Sequence, residues 1–404
     1  PLSGMLAYMH RIFAVLGVQP RLSLAELLQT YQLPKPLLCD QVAFFEADLD
    51  LAAAQRTLAG ITKCGEVLTT IPWKQLNGEF IAELMEQRPR AERIVYGLTV
   101  FGGSSLQQKT HRHLALEVKK ALKGRGRSSR WMSGKGHEAI SPAAVEKLEL
   151  TTEGYDFIIA FDGENAIIGL TSQVQNADSW GDRDFGKPFR DALTGMLPPK
   201  LARMMVNIAQ PKKALLDPFC GSGTVLMEAI LLHPELEITG SDIDERQTKG
   251  AIANLDWLRK SGSITNEERA RVNVLHFPVQ EVSRQLQNDF FDAIVTEGYL
   301  GKPLKGHESP QFLERNHADV TTLWKEALPV LAKQQPQGGR LVCTWPIMMS
   351  QNHPYYVELS DEELREAGYK RIHPLAAWSN DDKAIVYRRA DQHVHRQLIV
   401  LEKV

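Results

Sequence analysis

Asp217-Pro218-Phe219-Cys220-Gly221-Ser222-Gly223-Thr224 places an acid, two glycines and a hydroxyl in one short segment, and Gly240-Ser241-Asp242-Ile243-Asp244 adds further carboxylates downstream. Apolar Ala214-Leu215-Leu216 leads into the first segment, a helical pattern over 225–230 leaves it, and a second apolar stretch, 236–239, leads into the other. Strand, glycine turn, helix, strand and acid together make a nucleoside-cofactor site in a doubly wound sheet, with Asp242 beside the ribose. Gly-x-Gly-x-x-Gly is absent and an acid opens the turn, so the cofactor expected is S-adenosylmethionine rather than a dinucleotide. Asp217 suits the ammonium of its methionine part, while Gly221 and Gly223 let the cofactor lie against backbone. Thr224 is expected to cap the next helix, with Phe219 and Ile243 completing the contacts. Cys220 reads as packing beneath the turn rather than as a nucleophile.

Periodicity supplies the elements around these groups. A helix from Pro198 or Pro199 to Ala209, with Met204, Met205 and Ile208 as core, precedes the cofactor strand. Strands over 271–275, 291–295 and 339–344 follow, the last after a helix over 321–331 and with Cys343 in the core. Two terminal strands are expected over 384–388 and 397–402. Alternating strands and helices predict a parallel sheet with an antiparallel edge.

The first half opens with a strand over 8–16, and Ser23-Leu24-Ala25-Glu26 reads as a capping box that opens a helix. A helix over 49–59, strands over 66–71 and 93–101, and an amphipathic helix over 106–122 come next. Apolar strands over 155–160 and 166–171 flank Asp162-Gly163, a hairpin signal. Between Lys109 and Lys135 there are nine Lys and Arg against one acid, Glu117, with His111, His113 and Trp131 interleaved. Such a run suits phosphate contacts, with an aromatic beside it to stack on an unpaired base, or else forms a solvated helix face.

A chain of 404 residues exceeds what one core supports, so two or three domains are expected. Hydrophobic content of 43% suits a soluble globular chain, and a net charge of −2 confines any polyanion-binding surface to a local patch. Cys39, Cys64, Cys220 and Cys343 lack metal-ligand spacing, which points to free thiols in a reducing compartment and to no metal site. Residues 4–17 are apolar but too short to span a bilayer, contain His10 and Arg11 and are not followed by a small-residue cleavage site. A cytoplasmic protein with no membrane partner is expected. Pro1 in place of an initiator Met is what a segment of a longer chain would show.

Taken together, the motifs resemble the THUMP-containing tRNA guanine-N2 methyltransferases, the archaeal and eukaryotic type that modifies guanosine 10. The resemblance runs over nearly the whole chain. It rests on the connector Arg183-Asp184-Phe185-Gly186-Lys187-Pro188-Phe189-Arg190-Asp191, on Gly195-Met196-Leu197-Pro198-Pro199-Lys200-Leu201-Ala202, and on the Asp217 and Asp242 segments. It implies an α/β fold, with a Rossmann-like class I methyltransferase domain over 198–404 and a linker over 176–197. The N-terminal α+β region would hold a ferredoxin-like unit over 1–90 and a THUMP-like RNA-binding domain over 91–175. In the family that domain grips the tRNA acceptor stem, which implies Lys119, Lys120, Lys123, Arg125, Arg127 and Arg130 as RNA contacts. S-adenosylmethionine is the implied cofactor and tRNA the implied partner. A small activating subunit, such as the eukaryotic relatives use, is a further candidate partner.

Members of this type carry Asp/Asn-Pro-Pro-aromatic after the fourth strand, whereas this chain has Thr296-Glu297-Gly298-Tyr299. The motif sets a side-chain oxygen and a backbone carbonyl against an exocyclic amine while a ring stacks on the flipped base. By that likeness Glu297 accepts from the amine and takes its proton, Gly298 offers its carbonyl and Tyr299 stacks. The same residues also read as a strand-end acid that caps the next element and a core-facing tyrosine. After the third strand, His276-Phe277-Pro278-Val279-Gln280 stands where an acid meets the adenine amino group, a role left to Gln280 or to backbone. The activity implied is metal-free methyl transfer to guanosine N2 in tRNA. A DNA adenine-N6 or cytosine-N4 methyltransferase, and a non-catalytic RNA-binding protein with a degenerate methyltransferase domain, are the alternatives.

Overall fold

A computed structural model describes residues 11–134, 139–191, 196–287, 290–349, 354–378, 383–389 and 392–404, without the side chains of 110–112. Residues 4–10, His111, Lys135 and Gly195, all singled out above, lie outside this description in whole or in side chain. The chain divides into two compact units, one up to Ser179 apart from Leu28–Tyr31 and the other made of Leu28–Tyr31 with Trp180–Val404.

In the first unit, β1 (Arg11–Leu16), β2 (Leu37–Cys39), β3 (Val42–Glu46), β4 (Ile61–Pro72), β5 (Ile94–Phe101), β6 (Ser129–Met132), β7 (Tyr155–Asp162) and β8 (Asn165–Val174) form one sheet. Its order is β2-β3-β1-β4-β8-β7-β5-β6. β7 and β8 form the expected hairpin. They are apolar on both faces because both are covered. Tyr96, Phe157 and Ile168 share a core with residues of the helices Gly78–Glu86 and Ser105–Gly124, while Phe13, Ile158 and Ile167 belong to a second core.

The expected division at residue 90 falls within one continuous sheet, since β4 pairs with β8 along its length and buried Lys63 donates to Asp156 at 2.8 Å. Thr171 completes that buried site from β8, also 2.8 Å from Asp156. One expectation is corrected: the Ser23–Glu26 capping box does not form, because the helix already starts at Pro20, a residue suited to a first turn. Glu26 instead accepts from the backbone of Ala59 at 2.9 Å and Gly60 at 2.6 Å.

The second unit holds β9 (Ala214–Asp217), β10 (Glu237–Asp242), β11 (Val272–His276), β12 (Ala293–Glu297), β13 (Arg340–Met348), β14 (Tyr355–Tyr356), β15 (Tyr369–Arg371), β16 (Val386–Tyr387) and β17 (Val394–Lys403). The order is β11-β10-β9-β12-β13-β17-β15, with β14 on β13 and β16 on β17. The first five strands are parallel and β17 is antiparallel to its neighbours, as the alternation predicts. β16 is shorter than expected. The helix preceding β13 is longer, Pro310–Ala332, because Ser309 caps it far upstream of residue 321. Its Trp324 is fully buried beside Trp345 of β13. From β9 the chain first builds outward through β10 and β11, then returns to the other side of β9 with β12. This reversal opens a crevice at the carboxyl ends of the strands. No helix among the described residues is long and apolar enough to cross a membrane.

Candidate functional site

A cavity of about 470 Å³ lies at the carboxyl ends of β9, β10 and β12, within the usual size of a small-molecule site. Asp217, Phe219, Gly221, Thr224, Asp242, Ile243 and Gln280 all line it, so most of the expected cofactor set is brought together. Gly223 lies just behind: a Cβ there would meet Ala251 Cβ at 2.9 Å, and its φ of +80° is one that favours glycine. Gly221, at φ +48°, has only Gln247 Oε1 within 4.0 Å of a Cβ position, which leaves a backbone surface for a ligand.

Asp217 ends β9 almost wholly buried, accepting from Thr296 Oγ1 at 2.6 Å and from Phe219 N at 3.2 Å. Burial pushes its carboxyl up to about 7; the two hydrogen bonds oppose the shift, and Asp242 and Glu297 add to it. A cation beside it would relieve that penalty, which suits the ammonium of S-adenosylmethionine. Asp242 holds the turn with Oδ2, which accepts from Gly221 N at 2.9 Å, and with Oδ1, which accepts from Asp244 N at 2.9 Å. Each oxygen keeps a further lone pair for a ribose hydroxyl.

Thr224 does not cap its helix. Gly223 occupies that position, and the Thr224 hydroxyl accepts from Lys187 Nζ at 3.0 Å. Gln280 is exposed at the cavity and donates to Glu326 at 3.3 Å. Cys220 and Cys343 are buried, as their packing role predicts, and burial raises both thiols.

Glu297, Gly298 and Tyr299 line the same cavity. Tyr299 is 43% exposed, which sets aside the core-facing reading. Glu297 ends β12 and its Oε1 accepts from Arg396 Nε, a partner that no spacing in the sequence signals. Gly298 is held by packing, since a Cβ there would be 2.3 Å from Trp324 Cζ2.

Residues 189–346 match the RMKL-like, methyltransferase domain. Over 123 residues the chain is 32% identical to a probable tRNA (guanine(10)-N2)-dimethyltransferase of Methanothermococcus thermolithotrophicus, a match that covers 30% of this chain and 72% of that one. This chain belongs to the guanine-N2 methyltransferase family. It is also 34% identical over 142 residues to the tRNA (guanine(10)-N2)-dimethyltransferase of Methanocaldococcus jannaschii, covering 33% of this chain and 39% of that protein. The chain spans less than half the length of the first curated relatives it matches. In fold it is similar to TrmN from Thermus thermophilus, with a TM-score of 0.52 at 17% identity over 98% of this chain and 99% of that one. A class I methyltransferase fold implies S-adenosylmethionine as methyl donor.

The family connector is docked rather than free. Arg183 and Arg203 both donate to buried Glu228, at 2.6 and 2.7 Å, and both guanidiniums lie over the Trp180 ring. Asn254 accepts from Phe189 N at 2.9 Å and donates to the carbonyls of Phe189 and Ser222 at 3.0 and 2.9 Å, which ties the connector to the glycine turn. Asp191 reaches the cavity and accepts from Gln247 at 2.6 Å and from Arg246. Sequence reasoning missed Glu228, Asn254 and Lys187 as partners. Their only signal was a polar connector too strongly patterned to be an idle linker.

The expected RNA contacts separate into two groups. Lys119, Lys120 and Lys123 are exposed along the helix Ser105–Gly124, and Arg130 is exposed on edge strand β6. Arg125 is instead clamped by Glu86 at 2.5 Å and Glu79 at 2.7 Å, and Arg127 donates to the carbonyls of Ala91 and Glu92. Trp131 packs on the core of its unit rather than offering a free ring.

Proposed function

We propose that this chain transfers a methyl group from S-adenosylmethionine to the exocyclic N2 of a guanosine in RNA, with tRNA as the substrate class. One observation carries the reading: Asp217 and Asp242, on neighbouring strands, line a single cavity with Glu297 and the exposed Tyr299. The cofactor, when bound, supplies an electrophilic methyl on a sulfonium. Asp217 would hold its ammonium and Asp242 its ribose hydroxyls, against the backbone of Gly221. Tyr299 offers a ring on which an extruded base can stack, and Glu297 an acceptor for the amine. Guanine N2 is a poor nucleophile because its lone pair is delocalised into the ring, so acceleration must come from alignment and exclusion of water. The relatives named as tRNA (guanine(10)-N2)-dimethyltransferases support guanosine in tRNA over an adenine or cytosine in DNA. Incubating the chain with methyl-labelled cofactor and total tRNA, followed by mass spectrometry of the nucleosides, should give methylated guanosine at N2. Label confined to another nucleoside, or to DNA, would overturn the reading.

A further inference from the structure

Glu297 and Arg396 are joined across a strand that lies between them. β13 separates β12 from β17, so the Arg396 and Glu297 side chains together bridge two strand spacings, about 9–10 Å. Register makes this feasible. Glu297 pairs with Thr344 and Arg396 with Pro346, and residues paired or two apart share a face of the sheet. Arg396 is 3% exposed, and its other arm donates to Gln392 Oε1 at 3.0 Å. Thr344, between the two, spends its hydroxyl on neither: Oγ1 has no partner among the described residues. A buried ion pair is a weak source of stability, because desolvation offsets much of the attraction. This one sits where β12 meets the cavity, and among the described residues Glu297 Oε2 has no hydrogen-bond partner.

We propose that Arg396 is a positioning residue that pins Glu297 Oε1, so that Oε2 is presented as a fixed acceptor for the 2-amino group of guanine. The inference rests on the function proposed above and deepens it. Held in this way, Glu297 reads the amine through Oε2, and the proton that N2 sheds on methylation passes to solvent water. A strongly held acceptor of this kind discriminates because Oε2 is left without a hydrogen bond whenever the donor is missing.

The test is titration of guanosine and of inosine, which lacks the 2-amino group, onto the full chain saturated with S-adenosylhomocysteine. Guanosine should bind about tenfold more tightly, the scale of one hydrogen bond to a charged acceptor. Arg396→Gln and Glu297→Gln should each abolish the preference, Arg396→Gln while leaving S-adenosylhomocysteine affinity unchanged, and the double variant should lose no further preference. Arg396→Lys keeps the charge but displaces the donor; it should retain part of the preference, and it carries the test if Arg396→Gln does not fold. A preference that survives in Arg396→Gln or is absent from the wild type overturns the proposal. The two readings also fail differently. A wild type that prefers guanosine yet methylates no RNA overturns the proposed reaction alone, whereas a wild type that methylates guanosine with no loss in Arg396→Gln overturns only the role of Arg396.

Discussion

Gly298 lies against Trp324 so closely that a methyl group on it would stand 2.3 Å from Cζ2 and 3.0 Å from Cε2 of the indole. Trp324 is fully buried and lies tilted against Phe219 and Trp345, at ring separations of 5.9 and 6.0 Å. Packing against the indole therefore excludes a side chain at position 298, a proline ring included.

Gly298→Ala should consequently destabilise the second unit by about 1–3 kcal/mol, the usual cost of overpacking a closed core. Denaturant unfolding measures it. Combining the change with Trp324→Leu opens room for the methyl group, so the double variant should lose less than the sum of the two single changes. Strictly additive losses would show that the indole is not the obstacle.

Glu228 should be a stability hot spot. It is buried with two guanidiniums, and Glu228→Gln removes the carboxylate charge to which both Arg183 and Arg203 donate. A loss of about 3–5 kcal/mol is expected, as for other broken buried pairs. A melting temperature within error of the wild type would mean that the arginines find other partners.

What could be read from the chain, and what could not, divides by distance along it. The hairpin of β7 and β8 and the turn at Gly221 and Gly223 were legible because local alternation and glycine φ angles decide them. Glu26 was misread because its carboxylate is claimed by Ala59 and Gly60, some thirty residues away. The continuity of the first sheet was hidden for the same reason: β4 finds its partner in β8, about a hundred residues on. Arg396 is as remote from Glu297, and nothing local marks either as half of a pair. Thr224 is a nearer failure. Its hydroxyl could cap the helix by sequence, but the left-handed glycine before it already fills that position.

Asp217 makes the stability of the ligand-free protein fall as pH rises. Burial lifts its carboxyl from 3.8 to about 7, so the folded state holds the proton more tightly than the unfolded chain. The group's contribution is most favourable below about pH 4, the unfolded value, and is lost as pH climbs through the folded value near 7. Asp217→Asn should flatten that part of the pH profile. Binding of S-adenosylhomocysteine near pH 6 should release a proton as its ammonium docks, which calorimetry in buffers of different ionisation heat would register. Equal heats in all buffers would separate Asp217 from the ammonium.

RNA affinity should depend on Lys119, Lys120 and Lys123 and not on Arg125. Replacing the three lysines by Ala should weaken tRNA binding and reduce the slope of log K against log salt by about 0.7–0.9 for each phosphate that is no longer neutralised. Arg125→Ala should leave that slope unchanged, because its guanidinium is held by Glu79 and Glu86. A slope that responds to Arg125 alone would move the RNA-binding surface to the loop after the helix.

Tyr299 separates stacking from any chemistry of its hydroxyl. Burial, with Asp319 nearby, raises its phenol above the ordinary range, so at neutral pH the ring carries its proton and is neutral. Tyr299→Phe keeps the stacking face and should retain most of the turnover with tRNA. Tyr299→Ala removes the face, and about 1–3 kcal/mol of base stacking should disappear from kcat/KM while S-adenosylhomocysteine affinity stays the same. The contrast between the two variants is decisive. If Tyr299→Phe is as damaged as Tyr299→Ala, the hydroxyl rather than the ring engages the substrate, and the base must stack elsewhere in the cavity.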